Sequence, residues 1–258
     1  MKICVLMKQV PDKDSPIKIS TDNLSIKEDM LAFSTNESDN YALEEALQIK
    51  EKVGGEVVVC TLGIDSAQQV VKDALAKGAD RAIFIKEDSG TDRDILSLGK
   101  LLKSALVDEQ FDLLFSGLQS DDIGNSQLGL ILAEMLQMTH ASMVMGTEII
   151  DDKTIKVKRE LESGWFQWAE LDLPASVTIQ LGLNKPRYAS LRGIMAMKKK
   201  PLEHKSSSAL ETNGIASHVK TEKIFIPQKT KQTQYFDGST DQIVEKLVDY
   251  FKNEIGVI

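Results

Sequence analysis

Four times in the first 140 residues, a short apolar run is followed by a stretch whose apolar residues recur at helical spacing. That alternation constrains the fold more than any other feature of the chain. KICVLM at residues 2–7 is apolar at consecutive positions, which suits a strand buried on both faces. EVVVCTL (56–62), RAIFI (81–85) and FDLLFS (111–116) have the same character. Between them, Leu43, Ala46, Leu47 and Val53 share one helical face, as do Val70, Val71, Ala74 and Leu75. Ile95, Leu98, Leu102, Ala105 and Leu106 form a third such set, and a fourth helix is expected from about Asn125 to Met138. Ser38-Asp39-Asn40 and Ser66 stand where N-caps belong, and Gly54-Gly55 and Gly78 where helices stop. Strands joined by helices through short links run parallel, so a three-layer α/β/α domain with a parallel sheet is expected.

After residue 140 the rhythm changes. TEII, TIKVKREL and WFQWAEL, joined by Asp151-Asp152-Lys153 and Glu162-Ser163-Gly164, read as an antiparallel meander added to the sheet. ASVTIQL (175–181) reads as the final core strand. Near the start, Ile17, Ile19, Leu24 and Ile26 flank Thr21-Asp22-Asn23 as a small hairpin. The domain is expected to end near residue 182. Beyond it, 183–258 reads as an extended C-terminal arm, with a linker at 205–218 and a last amphipathic helix from Asp241 to Asn253.

Composition narrows the function. No uncharged apolar run approaches the ~18 residues of a membrane helix, and Ile3 to Met7 is too short for the core of an export signal. A cytoplasmic chain without direct membrane insertion is expected. Cys4 and Cys60 lie inside apolar runs and read as reduced core thiols. His140, His204 and His218 are too scattered for a histidine metal cluster. The formal charge of −8 argues against nucleic acid as a partner.

That charge is uneven. Residues 183–202 hold Lys185, Arg187, Arg192, Lys198, Lys199 and Lys200 and no acid, leaving −14 on the rest of the chain. Such a run can be a solvated face. Here Tyr188, Leu191, Ile194 and Met195 interleave apolar groups with the cations, which suits a docking segment.

In an open parallel sheet, ligands bind beyond the carboxyl ends of the strands. Those ends are Met7-Lys8, Leu62-Gly63-Ile64 and Ser116-Gly117. The last leads into GLQSDDIGNSQLG (117–129) and directly into a helix. Gly117, Gly124 and Gly129 allow close backbone approach. The N–H groups at that helix start, with Asn125, Ser126 and Gln127, could hold a phosphate; a plain strand–loop–helix turn would look similar. No G-x-G fingerprint, Walker A loop or G-x-S-x-G elbow is present. Asp121 and Asp122 could be an acid/base pair but equally suit solvated positions before a helix. No catalytic constellation emerges.

NKPRYASLRGIMAMKKKP (184–201) closely resembles the signature segment of electron transfer flavoprotein β subunits, and GLQSDDIGNSQLG resembles that family's nucleotide loop. DNYALEEALQIKE and ALAKGADRAIFI match family segments in content and order. The resemblance spans Met1 to about Pro201, and more loosely the final helix. It implies an adenine nucleotide α-hydrolase-like domain paired with a homologous α subunit: an electron carrier, not an enzyme. In such proteins the β subunit holds AMP, FAD is held mainly by the α subunit, and electrons pass from flavin dehydrogenases to an acceptor such as a quinone oxidoreductase. By position, the resemblance assigns nucleotide contacts to Leu6, to Asn36, Glu37, Ser38 and Asp39, to Leu62, and to Gly117, Gln119, Ser120, Asp121, Asp122, Ile123, Gly124, Asn125, Ser126, Gln127 and Leu128. It assigns partner docking to Leu191, the leucine of the recognition loop, with Arg187, Arg192, Ile194, Met195 and Lys199 around it. Two departures stand out: Gly124 replaces the family's second loop aspartate, and Asn36-Glu37 replaces a common Asn-Pro. In electron-bifurcating relatives a second FAD takes the AMP place, and the segment's tail mixes features of both branches. A ligase or pyrophosphatase of the same fold would want a Ser/Gly-rich loop where this chain has Lys8-Gln9-Val10-Pro11. A stand-alone adenine-nucleotide sensor is a further alternative.

Overall fold

The computed structural model describes residues 1–88, 93–210, 217–228, 231 and 233–257. They divide into two compact units, Met1–Glu222 and Lys223–Ile258.

The larger unit is built on a nine-stranded sheet. The four expected strands are β1 (Lys2–Leu6), β4 (Glu56–Gly63), β5 (Arg81–Lys86) and β6 (Leu113–Gly117), and β2 (Gln9–Pro11) and β3 (Phe33–Thr35) form a separate antiparallel ribbon. The remaining strands are β7 (Thr139–Ile149), β8 (Thr154–Glu160), β9 (Phe166–Asp172), β10 (Ala175–Ile179) and β11 (Leu202–Ser206), in the order β11-β5-β4-β1-β6-β10-β7-β8-β9. Pairing is parallel from β11 through to β7 and antiparallel between β7, β8 and β9. Helices α1 (Glu37–Val53) and α2 (Gln68–Lys77) cover one face over Ile3, Val5, Val57, Val59 and Phe84. Helices α3 (Ile95–Leu106) and α4 (Leu128–Leu136) cover the other over Cys4, Leu6, Val58, Cys60 and Ile83. Alternate residues of one strand thus enter different cores, which is why the strands read as unbroken apolar runs. The expected three-layer α/β/α architecture is what the chain adopts.

Several local expectations are corrected. Ser38, Asp39 and Asn40 lie inside α1; Asn36 takes the N-cap position without a side-chain cap bond. Ser66 sits in a 3₁₀ turn before α2 and bonds Gln9 instead of capping. The fourth helix starts at Leu128, three residues later than expected, because 120–127 is loop. The 17–26 hairpin is a single Ile19–Ile26 bridge. The meander's first strand reaches back to Thr139 and joins the sheet parallel to β10. ASVTIQL is not the final sheet strand: β11 adds at the opposite edge, followed by the short helix α6 (Ser207–Leu210), so part of the expected 205–218 linker is regular structure. Residues 211–216 of that stretch lie outside the described residues. The larger unit therefore continues past residue 182, with α5 (Leu191–Met197) packed against α2.

The smaller unit holds α7 (Thr240–Asp249), which continues as a π-helical turn over Tyr250–Ile255. Ser239 and Gln242 form a capping box at its start, and Phe236 meets Tyr250 edge to face.

Candidate functional site

The sheet brings the carboxyl ends of β1, β4 and β6 side by side, and an open cleft of about 200 Å³ lies above them. Its floor is held by one carboxylate. Asp39, buried at the start of α1, accepts from the Gly117 amide at 2.9 Å and the Lys8 amide at 2.8 Å. Burial pushes the Asp39 carboxyl up to about 7, against the opposing pull of hydrogen bonds from Asn36, Lys8 and Gly117. Gly117 must lack a side chain here: a Cβ would sit 2.0 Å from Ser38 Oγ and 2.5 Å from Asp39 Oδ1.

Asn36 and Ser38 tie down the loop that follows β6. Asn36 Nδ2 donates to the Gln119 carbonyl at 2.9 Å, its Oδ1 accepts from the Asp121 amide at 2.9 Å, and Ser38 Oγ donates to the same Gln119 carbonyl at 2.9 Å. The Glu37 amide donates to Asp121 at 3.1 Å. Lys8 Nζ lies 2.8 Å from both oxygens of Asp122. Gly124 and Ser126 have positive φ, curling the loop so that Ser126 Oγ reaches Gln119 Oε1 at 2.9 Å.

The loop then enters α4, whose first turn has neither an acidic residue nor a side-chain cap. Its first amides are free to meet an anion. Gly129 lets that helix approach the sheet closely, since a Cβ there would meet Thr178 at 2.5 Å and Ser116 Oγ at 2.8 Å. The opposite wall is apolar: Leu6, Leu62, Ile95, Leu98 and Leu102. An apolar wall facing uncapped amides and small polar side chains fits a purine ribotide, whose ring is flat and whose phosphate is anionic.

Of the residues assigned to nucleotide contact, Leu6, Asn36, Asp39, Leu62, Gly117, Gln119, Ser120, Ile123, Asn125, Ser126, Gln127 and Leu128 line the cleft. Glu37, Ser38, Asp121, Asp122 and Gly124 do not; the first four brace the loop through the bonds above, and Gly124 turns it. Gly129, picked out from the sequence as a point of close approach, lines it too; sequence reasoning missed Arg93, Ile95, Leu98 and Leu102, which come from α3 and the segment before it, and Cys60. Cys60 is buried, and burial pushes its thiol up to about 12, so it is an inert wall.

The basic segment is not uniform. Arg187 faces inward: Nε and Nη2 grip Glu44 at 2.8 and 3.0 Å, and Nη1 and Nη2 reach Glu51 at 2.5 and 3.2 Å. Lys200 donates to the Leu75 and Ala79 carbonyls at 2.9 and 2.6 Å, closing the end of α2. These two cations anchor the segment, so Arg187, assigned to docking by the resemblance, is engaged by Glu44 and Glu51 within the chain. Arg192 and Lys199 remain exposed, as do Lys185 and Lys198, and none of the four makes an ion pair among the described residues. Ser190 caps α5 by accepting from the Gly193 amide at 3.0 Å, and Gly193 lets the helix touch the Ala76 carbonyl. On the outer side, Leu191 (83 % exposed), Met195 and Ile194 stand clear of the fold.

No helix among the described residues is long and apolar enough to cross a membrane, and among them no group of three or more His, Cys, Asp or Glu side chains could hold a metal ion.

The model of the electron transfer flavoprotein domain matches residues 23–210. The chain is 35 % identical over 257 residues to an electron transfer flavoprotein subunit beta of Methylophilus methylotrophus, covering 96 % of this chain and 97 % of that one. It is 34 % identical over 261 residues to the subunit beta of Bacillus subtilis and 33 % over 260 residues to the mitochondrial subunit beta of Arabidopsis thaliana, in each case across the full length of both chains. The matched region contains the cationic helix and all of the cleft lining except Leu6, Met7 and Lys8, and the chain belongs to the electron transfer flavoprotein family as a β subunit, an electron carrier component and not an enzyme.

Proposed function

We propose that this β subunit works in the cytoplasm as half of an αβ electron transfer flavoprotein, holding AMP in the cleft and offering α5 to flavin dehydrogenases. The observation that carries the nucleotide reading is the pairing of an uncapped α4 start with an apolar wall across one open cleft. The α4 amides and the Ser126 and Gln127 side chains take the phosphate, while Leu6, Leu62, Ile95 and Leu98 face the purine. Asp39, Asn36 and Ser38 keep the loop in register by bonding its backbone.

FAD, held mainly by the α subunit, supplies the redox chemistry, and electrons leave for a downstream acceptor such as a quinone oxidoreductase. The β chain contributes position: Leu191 and Met195 offer small apolar anchors, and Arg192, Lys198 and Lys199 draw in an acidic partner. Steering by such charges favours fast, short-lived association, as a carrier requires.

The test is to purify the αβ complex, denature it and quantify the released nucleotides. One AMP and one FAD per heterodimer are expected. Two FAD and no AMP would assign the cleft to a second flavin, as in electron-bifurcating relatives. Absence of any adenine nucleotide would overturn the reading.

A further inference from the structure

Helix α5 turns two pairs of side chains in opposite directions. Gly193 and Met197, four residues apart, face α2 and the core: a Cβ at Gly193 would lie 2.1 Å from the Ala76 carbonyl oxygen, and Met197 packs partly buried against the core. Leu191 and Met195, also four apart, project on the other side, 83 % and 75 % exposed. The chain has nine methionines, and three of them are exposed: Met30, Met143 and Met195. Met143 is only 36 % exposed, in the irregular part of β7. Met30 is 56 % exposed, but its sulfur accepts from Lys18 Nζ at 3.5 Å, which engages a lone pair. Met195 is the most exposed of the nine, and its sulfur has no hydrogen-bond partner among the described residues. It is the methionine sulfur that a dissolved oxidant meets first.

We propose that Met195 is a modification site, oxidised by hydrogen peroxide to methionine sulfoxide, and that this change weakens docking of the dehydrogenase. The inference rests on the proposed docking role of α5. The sulfur lone pair attacks one peroxide oxygen; an S–O bond forms and the O–O bond breaks. The proton of the transferred oxygen joins the departing hydroxide as water. Sulfur is oxidised by two electrons and the peroxide is reduced by two. A methionine sulfoxide reductase reverses the step, its dithiol becoming a disulfide and the oxygen leaving as water. In the free chain the new S=O dipole stands in water and costs the fold nothing. Against the apolar surface that receives Leu191 it must be desolvated. The modification therefore acts on association and not on folding. Electron entry falls when peroxide accumulates and recovers once the reductase has acted. Leucine at this position supplies similar apolar volume without the reactive sulfur, so Met195→Leu isolates the sulfur as the variable.

The test treats the purified αβ complex with hydrogen peroxide, stops the reaction with catalase and maps the oxidised residues by peptide mass spectrometry. Met195 should be oxidised before Met30 and Met143. Electron transfer from an untreated flavin dehydrogenase, one that reduces the wild-type complex, should then slow about fivefold, the effect of losing one modest interface contact. Melting temperature and released nucleotide should not change, and methionine sulfoxide reductase should restore the rate. Met195→Leu should transfer at one rate before and after peroxide. The inference is overturned if Met30 or Met143 is oxidised first, if fully oxidised Met195 leaves the rate unchanged, or if Met195→Leu loses as much rate as the wild type. Leu191→Ala separates this outcome from the docking reading. If Leu191→Ala slows transfer and Met195 sulfoxide does not, the modification alone falls. If neither slows transfer, α5 is not the docking element and both fall.

Discussion

Asp39 Oδ1 accepts the Gly117 amide at 2.9 Å, joining the first turn of α1 to the end of β6 directly beneath the cleft. The contact depends on Gly117 having no side chain. Gly117→Ala forces a methyl group against Ser38 Oγ and Asp39 Oδ1, which cannot retreat without releasing Gln119 and Lys8. Overpacking of this kind costs about 1–3 kcal/mol. Chemical denaturation should show that loss, and the purified αβ complex should retain less adenine nucleotide.

The same carboxylate sets a pH dependence. The folded-state value of Asp39 is raised from 3.8 to about 7, mainly by burial. Between those values the folded protein holds a proton that the unfolded chain has released. This contribution to stability is therefore full below about pH 4 and is lost as pH rises toward 7. Asp39→Asn removes the titration. The unfolding free energy of the wild type minus that of Asp39→Asn should fall between pH 4 and 7 and then level off. A flat difference would mean that Asp39 ionises like an exposed carboxyl.

Legibility from sequence followed burial. β1, β4, β5, β6 and β10 were readable because two-sided burial leaves unbroken apolar runs. LEHKS in β11 carries no such run; it is a strand because β5 offers an unpaired edge. The start of β7 hid its pattern because an extra residue near Met143, at positive φ, breaks the alternation opposite Thr178. Ser38 and Asp39 resembled caps because local sequence does not report tertiary partners. The glycine-marked loop 117–129 was readable as a site, whereas Ile95, Leu98 and Leu102 reach the cleft only through the packing of α3. Within the basic segment, composition could not separate Arg187 and Lys200, bound to α1 and α2, from the free cations.

Arg187 should therefore behave as a structural residue. Arg187→Ala leaves the buried Glu44 carboxylate with no cation beside it. Removing one partner of a buried pair costs about 3–5 kcal/mol; because Arg187 is 32 % exposed, roughly 1–3 kcal/mol is expected after solvent screening. Burial raises Glu44, but hydrogen bonds from Arg187 and Gln48 outweigh it and hold the carboxyl below its ordinary 4.5; Arg187 likewise lowers Glu51. Stability from depressed carboxyls is present above their unfolded values and lost as pH falls through the folded ones. Acid unfolding should begin at a higher pH in Arg187→Ala, and Lys at this position should restore only part of the loss, lacking the bidentate fork.

The outer face of α5 should separate anchoring from steering. Leu191→Ala removes an exposed side chain that the fold does not use, so thermal stability and nucleotide content should stay at wild-type values. Transfer from a partner dehydrogenase should slow by about tenfold, as for a small interface anchor. Lys198→Glu/Lys199→Glu alters only exposed charges. Stopped-flow association with the dehydrogenase should slow at low salt, and its dependence on ionic strength should flatten, because exposed charges act over about 10 Å at 0.1 M salt. If Leu191→Ala instead releases AMP or FAD, or if the charge-reversed variant keeps the wild-type salt slope, α5 is not the docking element.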